Sequence, residues 1–190
     1  MGHRLSTICT RTGDDGSTGL ADGSRVGKDS TRVRLVGELD ELNSRIGFLI
    51  ASLERDAPYN SCLGEIQQLL FDLGGDLNIP GRVTIESPHI EWIETWLSHF
   101  NRDLPPLKEF VLPGGALEIA SCHLARTACR QAERTAVELS RETALPPSTV
   151  PFLNRISDLL FVLTRRIAHD RGYAQPLWNQ ARQRPNPPAD

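Results

Sequence analysis

A short polar segment near the amino terminus concentrates residue types that bind phosphate. From Thr10 to Gly19 the sequence reads TRTGDDGSTG, with three glycines, three threonines and one arginine in ten residues. Glycine permits backbone conformations in which successive N–H groups face one concavity that can hold an anion. The hydroxyl groups, the guanidinium of Arg11 and the amine of Lys28 would add donors for the same anion. The alternative is a polar surface loop, because short Gly/Ser/Asp clusters usually form turns.

The segment matches neither of two familiar ion-binding motifs. A Walker A loop ends in Gly-Lys-Ser/Thr, whereas Gly27-Lys28 is followed by Asp29. No glutamate closes an acidic loop of EF-hand length. A phosphate site here therefore needs residues from another part of the chain.

A second polar group is spaced for one face of a helix. Intervals of three, four and three residues separate its members, His123, Arg126, Arg130 and Glu133. Residues at such intervals share a face. We expect Leu117, Leu124 and Ala128, on the opposite face, to serve the core. A charged face is usually just solvated, but Asn154 lies in the next helical segment, which must pack against this one.

Two single residues complete the set of candidates. Asp40 is an acid amid the apolar residues of an earlier helical segment, and it could pair with an arginine within the chain or across an interface. Phe110 precedes a Pro-Gly-Gly turn that would fix the direction of its side chain. The alternatives are a surface carboxylate and a core phenylalanine beneath a loop. A di-iron site is disfavoured, because no glutamate has a histidine three residues later.

Hydrophobic periodicity predicts five helices, and no stretch shows the sustained alternation of a strand. Proline and glycine separate the helices, and Ser87-Pro88 is the expected N-cap and first turn of the third. The expected helices cover about 31–53, 61–77, 87 onward, 116–141 and 148–169. The sequence thus predicts an all-α fold, a five-helix bundle with a glycine-rich N-terminal loop. We expect one domain over 1–172 and a proline-rich tail without regular structure over 173–190.

Composition narrows the classes of partner and compartment. A chain of 190 residues suits one domain, and its net charge of −3 argues against nucleic acid as a partner. The four cysteines form no CxxC pair, so zinc-ligand spacing is absent and a reducing compartment is favoured. No apolar run is long enough to span a membrane and no secretory leader is recognisable, which predicts a cytoplasmic protein. The start MGHRLS fits the minimal myristoylation pattern only weakly.

Taken in order, the motifs resemble those of the PduO-type ATP:cob(I)alamin adenosyltransferases. The matching segments are TRTGDDG at 10–16, GKD at 27–29, GELDELNSRIG at 37–47, FVLPGG at 110–115, HLARTACRQAER at 123–134 and FLNRISDLLF at 152–161. They extend from about residue 9 to residue 170 and agree in order and spacing. Gly37-Glu38-Leu39 departs from the Gly-Thr-Val found in many members, which leaves the nucleotide motifs intact.

The resemblance implies a homotrimer of five-helix bundles with an ATP site at each subunit interface. Members of this family transfer the 5′-deoxyadenosyl group of ATP to the cobalt of cob(I)alamin, forming adenosylcobalamin and releasing triphosphate. The resemblance implies Mg²⁺ held through the ATP phosphates rather than by dedicated protein ligands. The ATP-binding residues that it implies are Thr10, Arg11, Thr12, Gly13, Thr18, Gly19, Lys28, Arg130, Glu133, Arg134 and Asn154.

The resemblance also implies individual roles. Phe110 matches the aromatic residue that covers the lower face of cobalamin, so Phe110 and Arg130 are the candidate catalytic residues. Asp40 and Arg126 match a salt bridge between subunits. A reductase and an adenosylcobalamin-dependent enzyme are the expected protein partners.

Two other functions stay open at the level of sequence. An ATP-dependent phosphotransferase would release ADP instead of triphosphate, although the chain lacks a Walker A motif and an obvious catalytic aspartate motif. A non-enzymatic nucleotide-binding scaffold would bind ATP without turnover when reduced cobalamin is supplied.

Overall fold

The computed structural model describes Cys9 and residues 11–184, which form a small hairpin followed by five helices. The predicted number of helices is confirmed for this part of the chain, and their ends lie close to the expected positions. The elements are β1 Ser17–Gly19, β2 Arg25–Gly27, α1 Thr31–Ser52, α2 Asn60–Asn78, α3 Ser87–Asn101, α4 Leu117–Glu142 and α5 Thr149–Arg171. None of the described helices is long and apolar enough to cross a membrane.

Helix α4 packs on α1 and on α5, while α2 packs on α1 and α3 packs on α5. Two buried thiols join α4 to α5, since the Sγ atoms of Cys122 and Cys129 lie 3.2 and 3.1 Å from the carbonyl oxygens of Leu160 and Leu153. Burial raises the pKa of both thiols far above its usual value. These cysteines therefore act as small core residues with weak S–H donors.

Polar contacts fix α1 against α4 in an antiparallel arrangement. Thr31 Oγ1 donates to Glu142 Oε1 at 2.7 Å at one end of the pair. Closer to the middle, Gln131 Nε2 donates to Glu38 Oε1 at 3.1 Å. Because α1 and α5 hold α4 from both sides, the buried face of α4 is lined by small residues such as Ser121, Ala125 and Ala132.

Three expectations from the sequence are wrong. Leu117 and Leu124 are 60% and 48% exposed, because small residues fill the close contacts that α4 makes with its neighbours. The N-cap of α3 is Glu86 and not Ser87, and the Glu86 amide donates to His89 Nδ1 at 3.2 Å. The fold is mostly helical but not all-α, since β1 and β2 pair in antiparallel register. Strands of three residues are too short for alternation to reveal them.

The first part of the proline-rich tail, within the described residues 173–184, is also more ordered than its composition predicts. The amide of Leu112 donates to the Pro176 carbonyl, and the amide of Trp178 donates to the Phe110 carbonyl, both at 2.8 Å. Val111 and Leu177 form the bridge between these two bonds. The segment after α5 therefore pairs with the loop that precedes α4. These two hydrogen bonds pair backbone amides and carbonyls that would bind water in an unstructured tail.

Candidate functional site

The glycine-rich loop is a compact turn that leads into β1. Gly16 N–H donates to the Gly13 carbonyl at 3.2 Å, and Gly16 has a positive φ of 82°. The Asp15 carboxylate accepts from the amide and hydroxyl of Ser17 at 2.9 and 2.8 Å. Those hydrogen bonds lower the pKa of Asp15. Thr18 and Gly19 continue into β1, and Thr10 lies outside the described residues.

Two cations from the returning strand and its exit hold this loop. Lys28 Nζ donates to the Gly13 carbonyl at 2.7 Å. Arg25 Nη2 donates to the Thr12 carbonyl at 2.5 Å, and Arg25 Nε donates to Ser17 Oγ at 3.0 Å. Sequence reasoning named Lys28 but missed Arg25. The sequence did offer a signal for Arg25, since a hairpin in this region would place this basic residue opposite the loop.

Arg130, from the polar face expected on α4, lines a polar groove between α1 and α4. The groove has a volume of about 330 Å³, and Arg130 and Arg134 line it together with Glu41, Arg45, Thr127 and Gln131. Three arginines and a single carboxylate thus face one depression. Arg45 lies within a motif that carried the resemblance, but sequence reasoning did not single it out.

The structure brings Glu133 and Asn154 together, on two segments that the sequence predicts to pack against each other. Asn154 Nδ2 donates to Glu133 Oε1 at 2.9 Å across the contact between α4 and α5. The neighbouring Arg155 forms ion pairs of 2.9 Å with Glu94 and with Asp158. Arg155 is therefore engaged in fixing α3 and α5.

Asp40 and Arg126 do not pair with each other within the described part of the chain. Asp40 is exposed and lies beside a groove between α1 and α2. Arg126 is half-buried, and its Nε has no hydrogen-bond partner among the described residues. Burial lowers the pKa of Arg126, and the nearby Arg130 lowers it further. A guanidinium in this setting favours an anionic neighbour.

Phe110 is presented to solvent by a loop whose backbone is held. Its side chain is 78% exposed, so the alternative of a core phenylalanine is wrong. Its amide donates to Glu109 Oε1 at 2.8 Å, and its carbonyl accepts from Trp178. The adjoining Leu112, Leu177 and Trp178 are 43%, 46% and 38% exposed. An apolar surface therefore surrounds Phe110.

The groove beside Asp40 was not foreseen from the sequence. It has a volume of about 620 Å³ and is mostly apolar, and Phe71, which is 72% exposed, lies along it. Gly74 and Gly75 on α2 line it, and the space that a side chain would take at Gly74 is open. A glycine pair one helical turn after an outward phenylalanine was the signal in the sequence.

Comparison with known proteins assigns these features to a family. Residues 8–167 match the family model described as cobalamin adenosyltransferase. The chain belongs to the cobalamin adenosyltransferase family.

Curated relatives in this family match along nearly their whole length. A cobalamin adenosyltransferase from Cupriavidus metallidurans is 49% identical over 183 residues, which cover 96% of this chain and 100% of the relative. A corrinoid adenosyltransferase from Mycobacterium leprae is 41% identical over 177 residues, covering 87% of this chain and 93% of the relative.

Solved structures of the family have the same fold. A variant of the PduO-type ATP:corrinoid adenosyltransferase from Lactobacillus reuteri, complexed with cobalamin and ATP, superposes with a TM-score of 0.86. It is 33% identical, and the match covers 92% of this chain and 100% of that one. A second variant, complexed with ATP, superposes with a TM-score of 0.85 at 34% identity.

His123 is the member of the α4 row that departs most from expectation. Its side chain is 3% exposed, and neither ring nitrogen has a hydrogen-bond partner within the described residues. Burial, and to a lesser extent Arg126, lowers the pKa of His123 from 6.5 to about 4. The His123 imidazole is therefore neutral near pH 7.

This shift predicts a loss of stability in mild acid. The unfolded chain binds a proton at His123 below its ordinary pKa, whereas the folded chain does so only near pH 4. Stability from this residue is therefore present above about pH 6.5 and declines as the pH falls toward 4. Between pH 7 and pH 5 the free energy of unfolding should fall by about 1–2 kcal/mol on this account.

Urea unfolding at both pH values checks the expectation. His123→Gln should show a smaller difference between pH 7 and pH 5 than the unsubstituted protein. His99→Gln, at an exposed histidine, is the control and should leave the difference intact. An unchanged pH dependence in His123→Gln would contradict the assignment.

Proposed function

We propose that this chain transfers the 5′-deoxyadenosyl group of ATP to the cobalt of cob(I)alamin and releases triphosphate. The groove of Arg45, Arg130 and Arg134 supports this most directly, because a cation-lined depression suits a polyphosphate. The adjoining Glu133–Asn154 pair and the glycine-rich loop add polar groups of the kind that a nucleotide needs. Membership of the family and the ligands named for the Lactobacillus reuteri variants agree with this function.

The reaction asks the protein for placement and charge stabilisation. The reduced cobalt attacks C5′ of ATP with its own electron pair, the cobalt–carbon bond forms, and the C5′–oxygen bond breaks. The electron pair of that bond leaves with the triphosphate, so no general base is required. Holding C5′ in line with cobalt, and stabilising charge on the leaving group, are the two contributions that lower the barrier.

Arg130, Lys28 and the amides of the glycine-rich loop would share the charge of the triphosphate. Hydrogen bonds to charged groups contribute about 1.5–3 kcal/mol each. Within the described residues, no group of three or more His, Cys, Asp or Glu could hold a metal ion. In this proposal Mg²⁺ enters as part of the nucleotide substrate, with phosphate oxygens as its ligands.

A homotrimer would complete the site. Within the described part of the chain, no hydrogen bond of Gly13 or Lys28 reaches α4, although both sets of residues are candidates for one nucleotide. Asp40 is exposed, and Arg126 has an unpartnered Nε. Head-to-tail contact in a closed ring would bring the loop and Asp40 of one subunit to α4 of the next.

Phe110 and the apolar groove would receive the corrin. An exposed phenylalanine on a held loop can cover the lower face of cobalt and displace the axial ligand there. The remaining four-coordinate cobalt is easier to reduce from the cob(II) state. Phe71 and the groove beside Asp40 offer a second apolar wall, which a neighbouring subunit could supply.

Two wider assignments belong to the same proposal. Cys9, Cys62, Cys122 and Cys129 are all free thiols, which supports a reducing compartment such as the cytoplasm. The proposed protein partners are a reductase that delivers an electron to cob(II)alamin and an enzyme that uses the adenosylated product.

The deciding experiment is an anaerobic incubation with ATP, Mg²⁺ and chemically reduced cobalamin. The absorbance spectrum should change to that of adenosylcobalamin, with triphosphate as the second product. Arg130→Ala should lower kcat/KM by roughly tenfold to a few hundredfold, because one hydrogen-bonded charge is lost from the triphosphate site. Arg141→Ala, at an exposed arginine in the last turn of α4, is the matched control.

The products separate this function from the alternatives. ADP in place of triphosphate would indicate a phosphotransferase. ATP binding with no product from reduced cobalamin would indicate a scaffold. Full activity in Arg130→Ala would remove that residue from the site.

Phe110→Ala should cause a selective defect. Activity that starts from cob(II)alamin and a reductant should drop far more than activity that starts from preformed cob(I)alamin, because only the first route needs the axial ligand displaced. Because the side chain is 78% exposed, the substitution should leave the fold intact. Leu107→Ala, on the same loop and 42% exposed, is the control. Equal losses in both assays would indicate a merely structural phenylalanine.

Arg126→Glu should weaken both assembly and ATP binding, because it would place like charges opposite each other across the subunit contact. Adding Asp40→Arg should restore much of the assembly if the two residues face each other between subunits. Sedimentation velocity and ATP titration report the two effects. Glu91→Arg, at an exposed position on α3, controls for altered net charge. A fully active monomer would contradict the interface.

A further inference from the structure

Arg25 links the two sides of the glycine-rich loop. It lies on β2, opposite the strand into which the loop leads. Its Nη2 reaches both the Thr12 carbonyl before the turn and Ser17 Oγ after it, each at 2.5 Å. Its Nε donates to Ser17 Oγ at 3.0 Å, and its Nη2 lies 3.6 Å from Asp15 Oδ1. The guanidinium, with donors at fixed angles, serves these positions together.

The hydrogen bond to Thr12 fixes the direction of an amide. In a trans peptide unit the C=O of one residue and the N–H of the next point in opposite directions. Arg25 holds the Thr12 carbonyl toward β2, so the Gly13 N–H points away from β2. Lys28 holds the Gly13 carbonyl, and the Asp14 N–H is directed away from Lys28 by the same geometry.

Those two amides are open donors. Within the described part of the chain, neither the Gly13 nor the Asp14 amide has a hydrogen-bond partner. Arg11, just before the loop, adopts a left-handed φ of 56°, which is uncommon for a residue with a side chain. Neighbouring N–H groups that face one side, next to a left-handed residue, form the kind of concavity that binds anions.

We propose that Arg25 is a positioning residue for the triphosphate of ATP. By holding the Thr12 carbonyl, it keeps the Gly13 amide directed at the phosphate oxygens, and it makes no contact with the phosphate itself. The inference rests on the proposed adenosyltransferase function and adds to that site a residue not assigned by the resemblance. A direct ionic role for Arg25 is the competing account, since its side chain is 45% exposed.

Inorganic triphosphate and ATP, titrated calorimetrically into the full-length protein, separate the two accounts. Arg25→Ala should raise the Kd for triphosphate about five- to thirtyfold, through the loss of an oriented amide contact. Arg25→Lys keeps the charge but loses the planar fork, so it should bind nearly as weakly as Arg25→Ala. The KM for ATP should rise in parallel, with kcat at saturating ATP little changed.

Two further variants test whether Arg25 acts through the loop. Ser17→Ala removes one hydrogen-bond partner of the guanidinium. The double variant with Arg25→Ala should therefore bind triphosphate only slightly more weakly than Arg25→Ala alone. Asp22→Ala removes the contacts of Asp22 with Ser24 in the turn of the hairpin, but leaves the loop contacts in place. It should bind triphosphate like the unsubstituted protein.

The outcomes are distinct. Affinity retained in Arg25→Lys would overturn positioning in favour of a simple charge. Equal losses in Asp22→Ala and Arg25→Ala would overturn it in favour of general hairpin stability. If the unsubstituted protein bound neither ATP nor triphosphate, the nucleotide site itself would fail and this inference with it.

Discussion

The position of α4 between α1 and α5 is the constraint on which the rest of the structure depends. Thiols of Cys122 and Cys129 seat it on α5, and Gln131 ties it to Glu38 on α1. Because α4 is in contact with α1 on one side and α5 on the other, and its small residues are buried, the rotation of α4 about its axis is fixed. That rotation places Arg130 and Arg134 in an open groove. It also leaves Arg126 half-buried, where a guanidinium favours an anionic neighbour.

Periodicity predicted the helices because each of them buries a long apolar stripe, and such a stripe repeats over several turns. The hairpin was not predicted because its strands have only three residues each. Polar contacts, such as that of Arg25 with Ser17, stabilise it instead of an apolar stripe. The exposure of Leu117 and Leu124 was not predicted, because the sequence pattern of one helix does not reveal how many other helices pack against it. His123 was misplaced for the same reason.

The candidate site divides in a similar way. Residue spacing predicted that the segments of Glu133 and Asn154 pack against each other, and these two side chains are in contact between α4 and α5. It did not predict the contacts of Arg25, which depend on a hairpin, or the groove at Phe71, which depends on how α1 meets α2. The order in the tail depended on backbone pairing with Phe110 and Leu112, which side-chain composition does not encode.

The two halves of the proposed nucleotide site are incomplete in complementary ways. The loop offers amide donors and one amine, that of Lys28, which donates one hydrogen bond to the Gly13 carbonyl at 2.7 Å. The α4 groove offers arginines but only one facing carboxylate, Glu41. A polyphosphate bound at either half alone would keep much of its charge in water. Enclosed by both, it would meet oriented dipoles on one side and fixed cations on the other, an arrangement that strengthens as water is excluded. Assembly and catalysis would then depend on the same contact.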